Sequence, residues 1–231
     1  DVMDGSDTRR GAPSIHKLFE ALHSKDNLQG SSTKFGVASA ILMGDLALVW
    51  SAQMLHTSGI KNDELITVLP FYDEMRVELM AGQFLDIYEQ ALGSQNVERS
   101  LKVARYKSGK YTIERPLHLG ASLAITDEAE RKVLINILSA YGLPLGEAFQ
   151  LRDDMLGIFG DPSVTGKPAG DDIREGKRTV LMAMTLERAD QASAVKITAA
   201  LGREDLTSDQ IEEVRALITA TGAVKVVEDL I

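Results

Sequence analysis

Segments with a helical spacing of apolar residues follow one another along almost the whole chain, and this pattern constrains the fold more than any other feature. Half-buried strands alternate apolar and polar residues, and no segment of the sequence shows that alternation. No internal repeat, low-complexity tract or linker divides the 231 residues. We therefore predict one all-α domain, with helices over residues 15–23, 35–56, 63–92, 96–107, 113–124, 127–141, 145–159, 180–188, 191–201, 208–221 and 223–231.

Proline and glycine are expected to interrupt this helical pattern at three places. Pro70 should kink or break the third helix, because it lacks an N–H group and its ring clashes with the preceding turn. Gly109 is expected to cap the end of the 96–107 helix. Gly142 and Pro144 are expected to end the helix that begins after Asp127.

The composition excludes several classes of function. A net charge of −9 argues against a general nucleic-acid binder, which would need a basic surface. The chain has no cysteine, which excludes disulfides, thiolate metal sites and cysteine nucleophiles and fits a cytoplasmic location. No signal peptide is visible.

Residues 37–55 form the most apolar segment, and it is long enough to span a bilayer. Asp45 lies at its middle, where a carboxylate would be unfavourable in lipid. We therefore interpret the segment as a buried core helix, in which Asp45 would need a partner, and predict no transmembrane span.

Residues 149–179 carry the strongest functional signal, FQLRDDMLGIFGDPSVTGKPAGDDIREGKRT. At about 100° per residue, Gln150, Asp153, Asp154 and Gly157 share one side of a helix. A loop rich in glycine and proline follows, and lysines lie within and after it. Carboxylates suit Mg²⁺ and lysines suit phosphate, so the segment indicates a metal–diphosphate site; the alternative is a solvated acidic face.

A second acidic and basic segment, DVMDGSDTRRG, stands at residues 1–11. Asp1 and Asp4 are three residues apart and would share a helical face. Taken alone, the segment is better interpreted as a frayed polar terminus, and only the second acidic segment favours a functional role. Lys107 is similarly open to two interpretations, since it could bind a phosphate or only complement a helix dipole.

Taken together, these segments identify a family. The sequence resembles the trans-isoprenyl diphosphate synthases, also called polyprenyl synthetases, and looks most like the bacterial farnesyl or geranylgeranyl type. The resemblance rests on residues 1–11, on GQFLD at 82–86, on KSGKYT at 107–112 and on residues 149–177. It implies an all-α isoprenoid-synthase-type bundle around a central cavity, formed by residues 1–231 as a single domain, and a homodimer.

The resemblance also implies roles for individual residues. Mg²⁺, or Mn²⁺ in its place, would be held by the aspartates of two acidic motifs, which are Asp1, Asp4, Asp153 and Asp154. The diphosphates of the two substrates would be held by Arg9, Arg10, Lys107, Ser108, Gln150, Lys167 and Lys177. Within this set Arg10 would contact isopentenyl diphosphate, and Ser108 and Gln150 would flank the allylic diphosphate. The residues expected to carry catalysis are Asp4, Asp153, Lys107 and Lys167.

The sequence departs from the family pattern in two ways. It begins one residue inside the first DDxxD motif, and we expect it to be incomplete at both ends. In addition, Gly157 stands where the second motif has its last aspartate.

The activity implied is a Mg²⁺-dependent prenyl transfer. An allylic diphosphate would ionise and condense with isopentenyl diphosphate, giving a longer trans-polyprenyl diphosphate. Two alternatives are a class I terpene cyclase and a non-catalytic partner subunit of a prenyl diphosphate synthase. The RRG sequence after Asp4 and the TGKP loop favour the synthase, because a cyclase does not need a second diphosphate.

Overall fold

The computed structural model describes residues 2–3, 5–161 and 170–231. The described residues fall into two compact units, one drawn from Asp1–Lys61 and Asp161–Pro168 and the other from Asn62–Gly160 and Ala169–Ile231. The all-α class predicted from the sequence is confirmed. The elements are β1 (Thr8–Arg9), β2 (Ala12–Pro13), α1 (Ile15–Lys25), α2 (Ser32–His56), α3 (Asn62–Leu92), α4 (Val97–Ala104), a π-helix (Arg105–Glu114), α5 (Arg115–Ala124), α6 (Glu128–Phe159), α7 (Asp171–Glu175), α8 (Val180–Arg188), α9 (Gln191–Ala200), α10 (Ser208–Ala220) and α11 (Ala223–Leu230).

The first unit consists of a small antiparallel hairpin and two packed helices. Strands β1 and β2 pair antiparallel, and α1 then packs along α2. The two helices approach closely at Gly36, where a Cβ atom would collide with the backbone oxygen of His16. Phe35 packs against Phe19, with ring centroids 6.3 Å apart.

Helix α2 differs from its prediction. Only 6% of its most apolar 18-residue window is buried, so it is not a buried core helix in this structure. Asp45 is exposed to solvent and therefore needs no buried partner. Among the described residues, α2 is one helix whose length and composition would allow it to cross a membrane. The apolar side chains of α2 therefore form an exposed hydrophobic surface, which is unfavourable in water. The sequence alone could not show that the other described residues leave this surface uncovered.

The second unit is organised around α6, which runs unbroken for 32 residues. Asp127 caps its start, because the Asp127 side chain accepts a hydrogen bond from the backbone N–H of Glu130 at 2.8 Å. The predicted end at Gly142 and Pro144 is wrong, since both residues lie inside the helix. Helix α3 likewise continues through Pro70.

The apolar side of α6 forms the core of this unit. Leu151, Met155 and Ile158 are 3%, 7% and 1% exposed and pack on the helices that follow. The residues that complete this core come from α7 to α11 and the turns between them; they include Ile173, Val180, Leu181, Met182, Leu186, Ile197, Leu206, Ile211, Val214, Ile218 and Val227. Asp153 lies outside this core and is exposed.

Candidate active site

One side of α6, next to its core-facing side, carries the acidic residues that the sequence singled out. Asp153 is exposed, whereas Asp154 is 6% exposed and accepts a hydrogen bond from Gln150 Nε2 at 2.6 Å. The two neighbouring carboxylates therefore have different environments. The exposed Asp153 carboxylate can reach a ligand, whereas the Asp154 carboxylate is buried beside it.

Burial, together with charge repulsion from the nearby Asp172 carboxylate, raises the pKa of Asp154 to about 8, although the Gln150 hydrogen bond opposes this shift. The raised pKa therefore disfavours the charged form of Asp154 in this buried position. A divalent cation in front of the helix would favour its ionised form.

The turn after α7 brings a lysine back to this side of α6. Lys177 Nζ lies 2.7 Å from Asp172 Oδ1 and 2.6 Å from Glu175 Oε2. Burial disfavours the lysine charge, but these two carboxylates outweigh burial and raise the Lys177 pKa. Lys177 is therefore a fixed cation at the edge of the acidic side of α6.

Lys107 and Ser108 lie on the π-helix, whose i→i+5 hydrogen bonding often marks functional sites. Lys107 Nζ pairs with the carboxylate of Asp86 on α3, and Ser108 is 7% exposed. Gly109 is not the predicted helix cap, because the π-helix runs through it and α5 follows directly. Lys107 is therefore not at a free helix end. Its ion pair with Asp86 holds its side chain against α3.

Glycines allow the π-helix to fit between its two neighbours. A Cβ atom at Gly82 of α3 would overlap the backbone of Tyr106 and Lys107. A Cβ atom at Gly146 of α6 would lie 2.5 Å from the Cα of Gly109. The π-helix therefore contacts α3 and α6 through bare backbone, which fixes the position of Lys107 and Ser108.

A buried ionic network anchors the same π-helix, and it was not predicted from the sequence. Glu78 of α3 accepts from Lys110 at 2.5 Å and from Arg115 Nε at 2.7 Å. Burial would raise the Glu78 pKa, but the two cations reverse this effect and lower it. Arg115 also contacts His118, which bonds Ser139 Oγ at 2.9 Å. These residues join α3, α5, α6 and the π-helix behind the predicted site.

Arg9 and Arg10 lie in the hairpin of the first unit. Arg10 and Gly11 form its turn with φ values of 52° and 75°, as a two-residue type I′ turn requires. Both arginines are exposed. The turn gives the predicted diphosphate-binding arginines a defined backbone, so this segment is not simply a frayed terminus.

Three of the predicted site residues, Asp1, Asp4 and Lys167, lie outside the described residues. Their roles stay predictions. Within the described part of the chain, no three His, Asp or Glu side chains form a group that could hold a metal ion. This donor set still suits Mg²⁺, which commonly takes one or two carboxylates together with water and substrate phosphate oxygens.

Comparison with known proteins identifies the family. The polyprenyl synthetase family profile matches residues 1–218. The chain belongs to the polyprenyl synthetase family. Among curated polyprenyl synthetases, it is 31% identical to the short chain isoprenyl diphosphate synthase of Methanocaldococcus jannaschii, over 92% of this chain and 58% of that protein. It is also 31% identical to the geranylgeranyl diphosphate synthase of Mycobacterium tuberculosis, over 96% of this chain and 57% of that protein.

A solved polyprenyl synthetase structure is more similar still. It is the geranylgeranyl pyrophosphate synthase of Corynebacterium glutamicum, complexed with isoprenyl diphosphate and magnesium. That structure has a TM-score of 0.94 and 47% identity, and the match covers 100% of this chain and 64% of the other. The chain thus spans less than two thirds of these relatives, and it has the all-α isoprenoid-synthase fold.

Proposed function

We propose that the protein is a Mg²⁺-dependent trans-prenyltransferase that condenses isopentenyl diphosphate with an allylic diphosphate. One observation carries the proposal. The π-helix with Lys107 docks on α6 at Gly146, and α7 with Lys177 returns to α6 at Gly157. Between these two contacts, over about 16 Å of helix, the same side of α6 presents its aspartates. Lys177 near these aspartates, and Lys107 on a helix packed against α6, suit a metal–diphosphate ligand.

The residues would act by holding the leaving group. Lys107 and Lys177 would bind the diphosphate of the allylic substrate and stabilise the charge that develops there as its C–O bond breaks. Asp153, with Asp154 beside it, would hold Mg²⁺, which supplies Lewis-acid stabilisation of the same charge when bound. The roles of Asp1, Asp4 and Lys167 in metal and diphosphate binding stay sequence-based predictions.

The second substrate would be held by Arg10, which the hairpin presents beside Arg9. The double bond of isopentenyl diphosphate attacks the allylic cation, and a proton is then lost from the new product to the departing diphosphate. No side-chain nucleophile is needed for this sequence of bond changes. The lack of cysteine is therefore compatible with the proposal.

The test is a product assay of the full chain with labelled isopentenyl diphosphate and allylic primers of several lengths. The synthase predicts Mg²⁺-dependent incorporation of label into longer prenyl diphosphates. A terpene cyclase would instead convert the allylic diphosphate alone into hydrocarbon, and a non-catalytic subunit would do neither. Either of these results would contradict the proposal.

We also propose that the protein is a homodimer, as the sequence-based prediction has it, and that its residues form one cytoplasmic synthase domain. The exposed apolar side of α2 supports self-association, because Leu42, Trp50 and Met54 are 63%, 57% and 70% exposed. Light scattering of the full chain should give twice the monomer mass. Trp50→Glu should lower the measured mass towards that of one monomer. A monomer mass for the unmodified protein would contradict the proposal.

A further inference from the structure

Gly157 occupies a position on α6 where a side chain would serve the site. It follows Asp153 by four residues and Asp154 by three, so it lies on the same side of the helix. Glycine inside a helix is less favourable than alanine. A structural reason is therefore needed for the lack of a side chain here.

The space beside Gly157 is filled by Asp172. A Cβ atom at position 157 would collide with the Asp172 carboxylate, meeting both of its oxygens and its Cγ. Asp172 is 5% exposed and bonds Lys177, and it raises the pKa of Asp154 on the same side of α6. Its carboxylate therefore stands within the acidic side of α6, although its backbone belongs to α7.

The backbone of α7 cannot easily move to make room. The helix lies between Gly170 and Gly176, both in the left-handed conformation. A Cβ atom at Gly176 would lie 3.0 Å from the Gly202 backbone, and Gly202 N–H donates to the Ile173 carbonyl at 3.0 Å. These contacts fix Asp172 against α6.

We propose that Asp172 supplies, from α7, the carboxylate that α6 lacks at position 157. Gly157 provides the space for it, and Asp172 acts as a positioning residue that holds Lys177 within the acidic group. Its contribution to Mg²⁺–diphosphate binding rests on the proposed function. The packing relationship between Asp172 and Gly157 does not.

The packing relationship is tested by a thermal double-mutant cycle in the full chain. Gly157→Ala should lower the melting temperature by about 5 °C, the size expected when a filled site is over-packed. In an Asp172→Ala background, the same change should cost little or raise the melting temperature, because the colliding carboxylate is gone. Additive effects of the two substitutions would overturn the packing claim.

The role in ligand binding is tested by calorimetry with inorganic pyrophosphate across a Mg²⁺ titration. Asp172→Asn should weaken Mg²⁺-dependent binding about tenfold, the usual order for a lost charged hydrogen bond. Asp205→Asn is the matched control, since Asp205 is an exposed partner of Arg203 away from α6. Equal binding by these two variants would overturn the role assigned to Asp172.

Moving the carboxylate from position 172 to position 157 distinguishes a lost ligand-binding role from a general loss of structure. Gly157→Asp alone should bind Mg²⁺–pyrophosphate poorly, although it adds a carboxylate. Gly157→Asp combined with Asp172→Ala should recover most of the binding lost in Asp172→Ala. If the double variant had a normal melting temperature but did not recover Mg²⁺–pyrophosphate binding, the claim that Asp172 supplies the carboxylate lacking at position 157 would be overturned. If the unmodified protein did not bind Mg²⁺–pyrophosphate, the proposed function and the ligand role of Asp172 would both fail, while the thermal cycle would still judge the packing.

Discussion

Lys107 of the π-helix and Asp86 of α3 form an ion pair although 21 residues separate them in sequence. Both side chains are largely buried, with 24% and 11% of their surface exposed. The pair therefore holds the lysine ammonium in one place, which an exposed pair of flexible side chains would not do. If Lys107 binds a diphosphate, as proposed, that ligand would meet a cation that is already positioned.

We predict that Lys107→Ala weakens binding of a non-hydrolysable allylic diphosphate analogue by roughly 10- to 100-fold, because a charged hydrogen-bond donor is lost. Binding of isopentenyl diphosphate should change less. Calorimetry measures both affinities. Lys196→Ala is the matched control, since Lys196 is an exposed lysine paired with Glu213. If the two variants bound the analogue equally, Lys107 would be only a structural partner of Asp86.

Asp153→Asn should lower turnover by about 100-fold or more, because the exposed carboxylate of α6 would no longer assist metal binding. The melting temperature should stay within about 1 °C, since exposed substitutions have small effects on stability. Steady-state rates across a Mg²⁺ titration are the measurement, with Asp73→Asn as an exposed helical control. Full activity in a correctly folded Asp153→Asn protein would remove Asp153 from the site.

His118 should make stability depend on pH. Burial lowers its pKa, and its Nδ1 faces the Arg115 guanidinium at 3.3 Å, so a second proton is unfavourable. A lowered folded-state pKa stabilises the protein above the ordinary histidine pKa, near 6.5, and this stability is lost as the pH falls below it.

We therefore expect the melting temperature of the unmodified protein to fall more between pH 7 and pH 5 than that of His118→Gln. The two profiles should diverge by about 3–5 °C for each unit by which the His118 pKa is lowered. Glutamine can still reach Ser139 but cannot become charged. Parallel profiles would show that His118 is not the titrating group.

Gly146→Ala should damage both stability and substrate binding. The added Cβ would lie 2.6 Å from the Gly109 oxygen, so α6 and the π-helix must separate. We expect the melting temperature to fall by about 5 °C and the KM for the allylic substrate to rise, because Lys107 and Ser108 move with the π-helix. Gly120→Ala is the control, since a Cβ atom there meets nothing within 4 Å and alanine favours a helix. Similar results for both variants would contradict this account.

The starts of α4 and α6 were predictable from the sequence because their chemistry is local, whereas α2 was predicted to begin at residue 35 and begins at Ser32. Asp127 caps α6 through its own side chain, and Asn96 caps α4 in the same way, accepting from Arg99 N–H at 2.9 Å. Helix continuity was not predictable in this way. Gly142 looked like a stop, yet a Cβ atom there would lie 3.1 Å from the Cα of Glu114. The glycine serves close packing, which only the tertiary structure reveals.

The candidate site was predictable as far as single residues show their chemistry. The acidic side of α6 followed from helical geometry, and Lys177 followed from its basic segment. Asp172 was missed because the sequence read as a polar loop around it, although a glycine inside an acidic helix was a signal of close approach. The π-helix was missed because i→i+5 bonding has no compositional signature.

The contacts of Gly82 and Gly146 with the π-helix have a consequence for mapping function by mutagenesis. Alanine scanning identifies important residues by the loss of function that follows when side-chain atoms are removed. Here the two positions that hold Lys107 in register have no side chain to remove, so they respond to added volume instead. A deep mutational scan should find them intolerant of every substitution, with alanine the mildest. Ranked by tolerance alone, these glycines would be mistaken for chemical participants.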